Sequence, residues 1–485
     1  MYFALRIIEK LFIIYFTLYL LIDIILYLYA LFYFFARGRK KRTKPQYDYS
    51  QHPISIIVPA YNEEVSIITC IENLMDLDYP DYQVILVNDG STDKTVQKII
   101  KHFEVEELNV ETKNNLLVTK KILSAYRLKG RRNLLILDKE NGGKADAINA
   151  GINFSSGKYI CTIDADSVLD PDALKEVVRP FIANPDTIVA GGQLAVANDV
   201  TIVNNRVKSA RVPKNIWVQW QINEYIKSFM ISRIGLSKVN SLLIMSGAFA
   251  LFKKVDLMEV GGFLTKINDS PYILQNLGKG KQTVCEDMEI VVRLWKYKKD
   301  KKLKAKAAFV PEAVLWTEVP DNSGSLFRQR SRWHQGLAET LSIYSKAILE
   351  PKYGITGMLA LPYYFFFELL SPTMKVLSFI FIFIAGYYGV FNTKWVILLL
   401  ASILLTTAII MSSITLILEY WSEKHTETTR NALRYKNFKD WLWLLTAGIL
   451  SEFTYSFFKI TAQLDGLINF FRKRQDWRKF ERKGI

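Results

Sequence analysis

Apolar positions fall very unevenly along the chain, and their spacing divides it into three regions. Residues 1–36 are almost entirely apolar or aromatic, residues 43–350 mix apolar and polar positions as a globular domain does, and residues 355–471 return to long apolar runs. The first run, Leu11 to Phe35, is about 25 residues long, more than the roughly 20 helical residues that cross a hydrocarbon layer of about 30 Å. It predicts one spanning helix with room for tilt. Arg37, Arg39, Lys40, Lys41 and Arg42 follow, where a cleaved leader would carry small residues, so the run reads as an uncleaved anchor with its C-terminal side in the cytoplasm.

The later apolar runs are Met358 to Leu370, Val376 to Phe391, Val396 to Leu418 and Trp441 to about Phe471. Pro362 and Pro372 interrupt the first part, which is expected to lie along the interface while the next helix crosses. Both basic flanks of the last run, Lys424 to Lys439 and Arg472 to Lys483, belong in the cytoplasm by the positive-inside rule. A single crossing between them cannot satisfy both. Either that stretch re-enters or one placement fails. The expected division is 1–42 as anchor and basic flank, 43–350 as a catalytic domain, and 351–485 as interfacial and transmembrane helices with a basic tail.

Within the central region β-branched runs alternate with helical spacing. Ile54 to Val58, Val84 to Val87, Leu134 to Leu137, Tyr159 to Ile163 and Ile188 to Gly191 predict strands, with helices over Ser66 to Leu74 and from about Thr92 to His102. This alternation implies an α/β fold with a mainly parallel sheet and helices on both faces, whose ligands bind beyond the carboxyl ends of the strands. Thr112 to Asn133, rich in Lys and Arg, reads as a surface insertion. Lys214 to Leu236 carries Ile216, Trp217, Trp220, Tyr225, Phe229 and Met230 on one helical face, which reads either as core or as the lining of an acceptor groove.

Charge sharpens this picture. The formal net charge is +16, but the basic clusters sit beside apolar runs, which points to anionic lipid head groups rather than nucleic acid. The three cysteines, Cys70, Cys161 and Cys285, are far apart and in no metal-ligand spacing, so unpaired thiols in a reducing compartment are expected.

Polar clusters follow several strands. Asn88-Asp-Gly-Ser-Thr-Asp93 places a carboxylate at a strand end, able to accept from a base or ribose; taken alone it is also an ordinary satisfied turn. Asp164-Ala-Asp166 offers alternate carboxylates on an extended segment, one for a hard cation such as Mg²⁺ or Mn²⁺ and one for a second contact. Gly142-Gly143-Lys144 opens a helix, where free backbone N–H groups and an ammonium favour a diphosphate; taken alone it is equally an ordinary glycine-containing helix start. Glu286-Asp287 heads an amphipathic helix; Asp287 is a candidate general base, or the pair merely complements the helix dipole. Gln329-Arg-Ser-Arg-Trp333 supplies a guanidinium for a diphosphate and an indole for a sugar face, and reads otherwise as an interfacial anchor. His334 is expected to be structural.

In order along the chain, Val58-Pro-Ala-Tyr-Asn-Glu-Glu64, Val87-Asn-Asp-Gly-Ser-Thr-Asp93, Gly142-Gly-Lys144, Asp164-Ala-Asp166, Ser246-Gly-Ala248, Glu286-Asp287 and Gln329-Arg-Ser-Arg-Trp333 resemble the processive family 2 glycosyltransferases, the synthases of cellulose, hyaluronan, chitin oligosaccharide and poly-N-acetylglucosamine. The resemblance covers about residues 50–350 and implies a GT-A fold, Rossmann-like and cytoplasmic, flanked by transmembrane helices in the plasma (inner) membrane. It assigns Tyr61, Glu63 and Asp89 to the uridine, Lys144 and Asp164 to the nucleotide, and Asp166 to Mg²⁺ or Mn²⁺. Asp287 becomes the base, Gln329, Arg332 and Trp333 hold diphosphate and acceptor, and Gly247 sits near the acceptor terminus.

The implied activity is inverting transfer from a UDP-sugar to a growing polysaccharide, processive with export, with accessory export proteins as partners. The alternatives are single transfer to a lipid acceptor, diacylglycerol or polyprenyl phosphate, and a noncatalytic membrane scaffold. Cys285 departs from the threonine many relatives carry before the Glu-Asp pair, and a packing effect is expected there. The C-terminal block is shorter than in the cellulose synthases and no cyclic-dinucleotide module follows, so activation of that kind is not expected.

Overall fold

The computed structural model describes residues 2–38, 47–109, 117–130, 133–425, 435 and 437–474. The strands are β1 (Ile54–Ala60), β2 (Tyr82–Asp89), β3 (Val105–Leu108), β4 (Ile122–Leu128), β5 (Leu134–Lys139), β6 (Tyr159–Ile163), β7 (Ser167–Leu169), β8 (Thr187–Val196), β9 (Val200–Val203), β10 (Arg206–Ala210), β11 (Phe249–Lys253) and β12 (Lys306–Thr317). All but the β9–β10 hairpin join one sheet in the order β3-β4-β5-β2-β1-β6-β11-β8-β12-β7.

Its centre, β5-β2-β1-β6, is parallel. These strands are continuous apolar runs because helices cover both faces; Ile56, Ile57, Val58 and Val84 to Val87 are fully buried. Outside the centre the sheet is mixed rather than mainly parallel. β11 runs antiparallel to β6 and β8, β7 antiparallel to β12, and β4 antiparallel to β3 and β5. The chain passes from β4 at Leu128 to β5 at Leu134 with no room for a crossover helix, and so short a connection permits only antiparallel pairing. β4 also corrects the reading of 112–133 as an insertion, because Ile122–Leu128 is a sheet strand; residues 112–116, 131 and 132 lie outside the described residues.

The Tyr2–Gly38 helix is longer than its apolar run, and its end does not stand apart from the sheet. Leu26, Tyr27, Ala30 and Phe34 share the sheet's hydrophobic core. Among the described residues Tyr2–Ala36 and Lys394–Tyr420 are long and apolar enough to cross a membrane; a third span results if Thr356–Leu369 and Ser371–Tyr387, bent by 47°, count as one. Pro372 stands at that bend. The last apolar stretch is not one continuous helix. It breaks at Thr454 into Phe438–Phe453 and Tyr455–Phe471, and the second helix lies along Ser323–Ile343, where Ser331 Oγ donates to Asp465 at 2.6 Å. Most of the two basic flanks, 426–434 and 475–483, lies outside the described residues.

Candidate functional site

Parallel strands end on one rim, and Asp89, Asp164 and Asp166 are there because they close or follow such strands, whereas Glu286 and Asp287 reach the site from a helix start. Asp89, the last residue of β2, is buried and accepts Lys139 Nζ at 2.6 Å, Gly142 N at 3.0 Å and Gly143 N at 2.8 Å. Lys139, wholly buried at the end of β5, also reaches Asp146 at 2.6 Å. Gly143 caps the Lys144–Phe154 helix with φ +88°, a conformation glycine adopts without a Cβ penalty. This turn corrects one expectation: both glycine amides point at Asp89, so they are already satisfied and do not form an open diphosphate cradle. Tyr61 and Glu63 follow β1, where Glu63 N donates to Thr95 Oγ1 at 2.9 Å and Ser66 Oγ donates to the Glu63 carboxylate at 3.0 Å.

Asp164 and Asp166 follow β6 in a turn rather than an extended segment, closed by Ser167 N donating to Asp164 O at 3.2 Å. Their side chains still diverge. Asp164 pairs with Lys144 Nζ at 2.7 Å, whereas Asp166 is buried and accepts Ser167 Oγ at 3.3 Å and Thr317 Oγ1 at 3.5 Å. Among the described residues no cluster of three or more His, Cys, Asp and Glu side chains forms a metal-ligand set.

The helix predicted to open at Glu286 does so, over Glu286–Asp300. Asp287 Oδ2 accepts Gly247 N at 3.1 Å and Oδ1 accepts Met288 N at 2.9 Å. Burial and the adjacent Glu286 charge push its carboxyl up to about 6, against the opposing pull of Lys144 and the two amides. Lys144 links this corner to Asp164, which it pairs at 2.7 Å while standing 3.2 Å from Glu286. Burial works against its charged form, yet Asp164 and Glu286 together raise its pKa above the usual lysine value. A Cβ on Gly247 would stand 3.1 Å from Lys144 Nζ and 3.3 Å from Asp287 Cβ, a tight fit that would require its neighbours to give by a few tenths of an ångström. Cys285 packs against Gly336, in keeping with a packing role.

Gln329, Arg332 and Trp333 sit on the Ser323–Ile343 helix, started by Asn322, whose side chain accepts Ser325 N at 2.9 Å. Arg330 lies over the Trp333 ring at 4.2 Å and Phe229 meets the same indole at 5.8 Å between centroids. His334 Nε2 lies 3.2 Å from Leu369 O; burial lowers its pKa to about 4, so the neutral ring donates to that carbonyl. Sequence reasoning missed Glu224 and Lys139. Glu224 accepts Arg330 Nη2 at 2.5 Å, Tyr455 Oη at 2.7 Å and Lys459 Nζ at 3.3 Å. The one signal for each was a charge inside a largely apolar segment.

One cavity of ≈ 2190 Å³ is lined by Tyr61, Glu63, Asp89, Lys144, Asp164, Asp166, Gly247, Asp287, Gln329, Arg332 and Trp333. The rim thus brings every expected site residue to one space, although sequence separates the first from the last by most of the central region. Trp220, Tyr225 and Phe229 line it too, while Met230 is core, so the 214–236 stretch contributes both to the cavity wall and to the core. The same cavity is lined also by Asp23, Lys227, Glu368, Lys375, Glu452 and Lys459 and by apolar side chains that include Phe16, Leu20, Phe383 and Leu404.

With this geometry in place, comparison with known proteins gives concordant results. The poly-beta-1,6-N-acetyl-D-glucosamine synthase of Staphylococcus epidermidis is 27% identical over 289 residues, 59% of this chain and 55% of that protein. The synthase of the same name from Staphylococcus aureus strain COL is 25% identical over the same shares. The chain therefore matches about half the length of these relatives. A solved mannosyltransferase from Pyrobaculum calidifontis, in complex with GDP-Man and Mn2+, superposes with a TM-score of 0.50 at 18% identity, covering 90% of this chain and 98% of that one. That likeness is one of fold, GT-A. The sequence profile of the glycosyltransferase-like family 2 matches residues 52–336, more than half of the chain, and the protein belongs to that family.

Proposed function

We propose that the protein is an inverting membrane glycosyltransferase that moves a sugar from a UDP-sugar to a growing polysaccharide. The observation that supports this most is the single cavity holding Asp89, Asp166 and Asp287 together with Gln329, Arg332 and Trp333. Tyr61, Glu63 and Asp89 take the uridine, with Lys144 and Asp164 beside the nucleotide. Lys139 and the glycine amides hold the Asp89 carboxylate in place.

Asp287 removes the proton of the acceptor hydroxyl as that oxygen bonds to the anomeric carbon. The bond from this carbon to the diphosphate breaks on the opposite face, giving inversion and releasing UDP. A carboxyl held near 6 is largely ionised at neutral pH and still basic enough for the task. Gln329 and Arg332 face the leaving diphosphate, Trp333 carries the acceptor ring, and Gly247 leaves room for the acceptor terminus.

The donor set around Asp166 fits a hard cation of the Mg²⁺ or Mn²⁺ type. One carboxylate and nearby hydroxyl oxygens of Ser167 and Thr317 match an ion that keeps several waters and shares its shell with substrate phosphates, and do not match an all-protein cage. When bound, such a cation offsets charge on the leaving diphosphate.

The remaining assignments belong to the same reading: an anchor over 1–42, a cytoplasmic GT-A domain over 43–350, and interfacial and transmembrane helices over 351–485, in the plasma membrane. Extension of the same cavity to the charges of Asp23, Lys227, Glu368 and Lys375 and to the apolar helices supports retention and export of the polymer, with accessory export proteins acting beyond this chain. Its apolar walls favour a second reading, single transfer to a lipid acceptor. Purified protein supplied with labelled UDP-N-acetylglucosamine, UDP-glucose or UDP-glucuronate and Mg²⁺ or Mn²⁺ tests both. A ladder of saccharide lengths is expected; a lone lipid-extractable monoadduct decides for the second reading, and no metal-dependent turnover of any donor refutes both.

A further inference from the structure

We propose that Glu224 is a positioning residue for the acceptor platform, tying Arg330 and, through it, Trp333 to the Tyr455–Phe471 helix; this rests on the saccharide-acceptor reading above. Glu224 ends the Ile216–Glu224 helix with only 11% of its side chain exposed. Its carboxylate takes Arg330 through Nη2 at 2.5 Å and Nε at 3.1 Å, Tyr455 Oη at 2.7 Å and Lys459 Nζ at 3.3 Å. Three elements far apart in sequence therefore meet on one side chain.

What the hub fixes is the guanidinium. Arg330 carries two further contacts, Nη1 donating to Gln329 Oε1 at 2.5 Å and the guanidinium stacking on Trp333 at 4.2 Å. A carboxylate bonded along one edge of the planar fork fixes the plane of the guanidinium, so the Glu224 bond sets the plane on which Trp333 stacks. Burial alone would raise the Glu224 carboxyl, but Arg330, Lys459 and the Tyr455 hydroxyl hold it down at about 2. It is an anion at every working pH. The platform is thus built jointly by the family domain and by a helix beyond residue 336, where the family profile ends.

The test uses full-length Glu224→Gln, with Glu224→Asp as the conservative variant and Tyr455→Phe as a milder one that removes a single hydrogen bond. Expected for Glu224→Gln is an acceptor KM raised about tenfold or more, since a displaced platform misplaces the reacting hydroxyl, while UDP affinity and metal-dependent donor hydrolysis stay within about twofold. Glu224→Asp should recover part of the loss. Tyr455→Phe, which keeps every charge and supplies the answer if Glu224→Gln does not fold, should raise the acceptor KM in the same direction by a smaller factor. Tryptophan emission should differ between Glu224→Gln and the parent, and this difference should shrink in a Trp333→Phe background, the remainder coming from Trp220, stacked on Tyr455 at 5.5 Å. An unchanged acceptor KM in folded Glu224→Gln or in Tyr455→Phe overturns the inference, as does a spectral difference that Trp333→Phe leaves undiminished. An inert wild type overturns the functional reading and the inference with it, and is told apart because the spectral coupling to Trp333 remains.

Discussion

Replacing Asp287 by Asn tests the base assignment through two readouts of opposite sign. Burial and the Glu286 charge raise the Asp287 carboxyl from its ordinary 3.8 to about 6, so the fold favours the protonated form. A raised carboxyl contributes stability that is complete below the unfolded value and is lost as pH rises through the folded one; by linkage the ionised group then costs about 3 kcal/mol above pH 6. Asn carries no such cost. It does lose one of the two bonds from Gly247 N and Met288 N, worth about 1 kcal/mol, which leaves a net gain of about 2 kcal/mol at pH 8. Transfer should fall by about 10²- to 10⁴-fold, the usual contribution of a positioned base. The assay pairs turnover of purified protein from pH 5 to 9 with its melting temperature at pH 8. Wild-type rate should fall about tenfold per pH step below about 6, and Asp287→Asn should melt higher while turning over little. Retained turnover refutes the base; an acid limb near 4 refutes the argument from burial; and a lower melting temperature refutes the claim that the carboxylate is held at a cost.

Two neighbours should move that acid limb in opposite directions: Glu286→Gln removes a charge that raises Asp287 and shifts the limb below 6, whereas Lys144→Met removes one that lowers it and shifts the limb above 6, as a pH–rate profile would record. Lys139→Met leaves Asp89 and Asp146 buried without their cation and should destabilise the domain by about 3–5 kcal/mol, read as a fall in melting temperature together with weaker UDP binding. Exhaustive chelation should abolish transfer and readdition of Mg²⁺ or Mn²⁺ restore it, with Asp166→Asn raising the metal concentration needed; equal activity with chelator present would count against the cation at Asp166.

How far the site could be read without coordinates depends on how far apart the partners of each residue lie. Asp89 and Asp164 follow β-branched runs directly, and Lys144 follows a glycine pair; each combines a strand end or helix start with a polar residue inside about ten positions, and the structure puts all three on the rim. The fate of the Gly142 and Gly143 amides was not legible, because their acceptor sits on another strand and a glycine turn reads the same whether it faces phosphate or carboxylate. β4 and β11 were not read as strands at all, and their antiparallel direction was hidden as well, because direction follows from the connection and not from periodicity. Lys139 and Glu224 are the instructive misses. Leu134-Leu-Ile-Leu-Asp-Lys139 and Ile216-Trp-Val-Gln-Trp-Gln-Ile-Asn-Glu224 each end in a charge that the surrounding apolar positions carry out of water. Burying an unpaired charge costs far more than a domain's net stability allows, so each such residue implies a counter-charge somewhere in the fold. The sequence can state that the counter-charge exists; only the packing of β2 and the Lys144–Phe154 helix on β5, and of the Ser323–Ile343 and Tyr455–Phe471 helices on Glu224, identifies it.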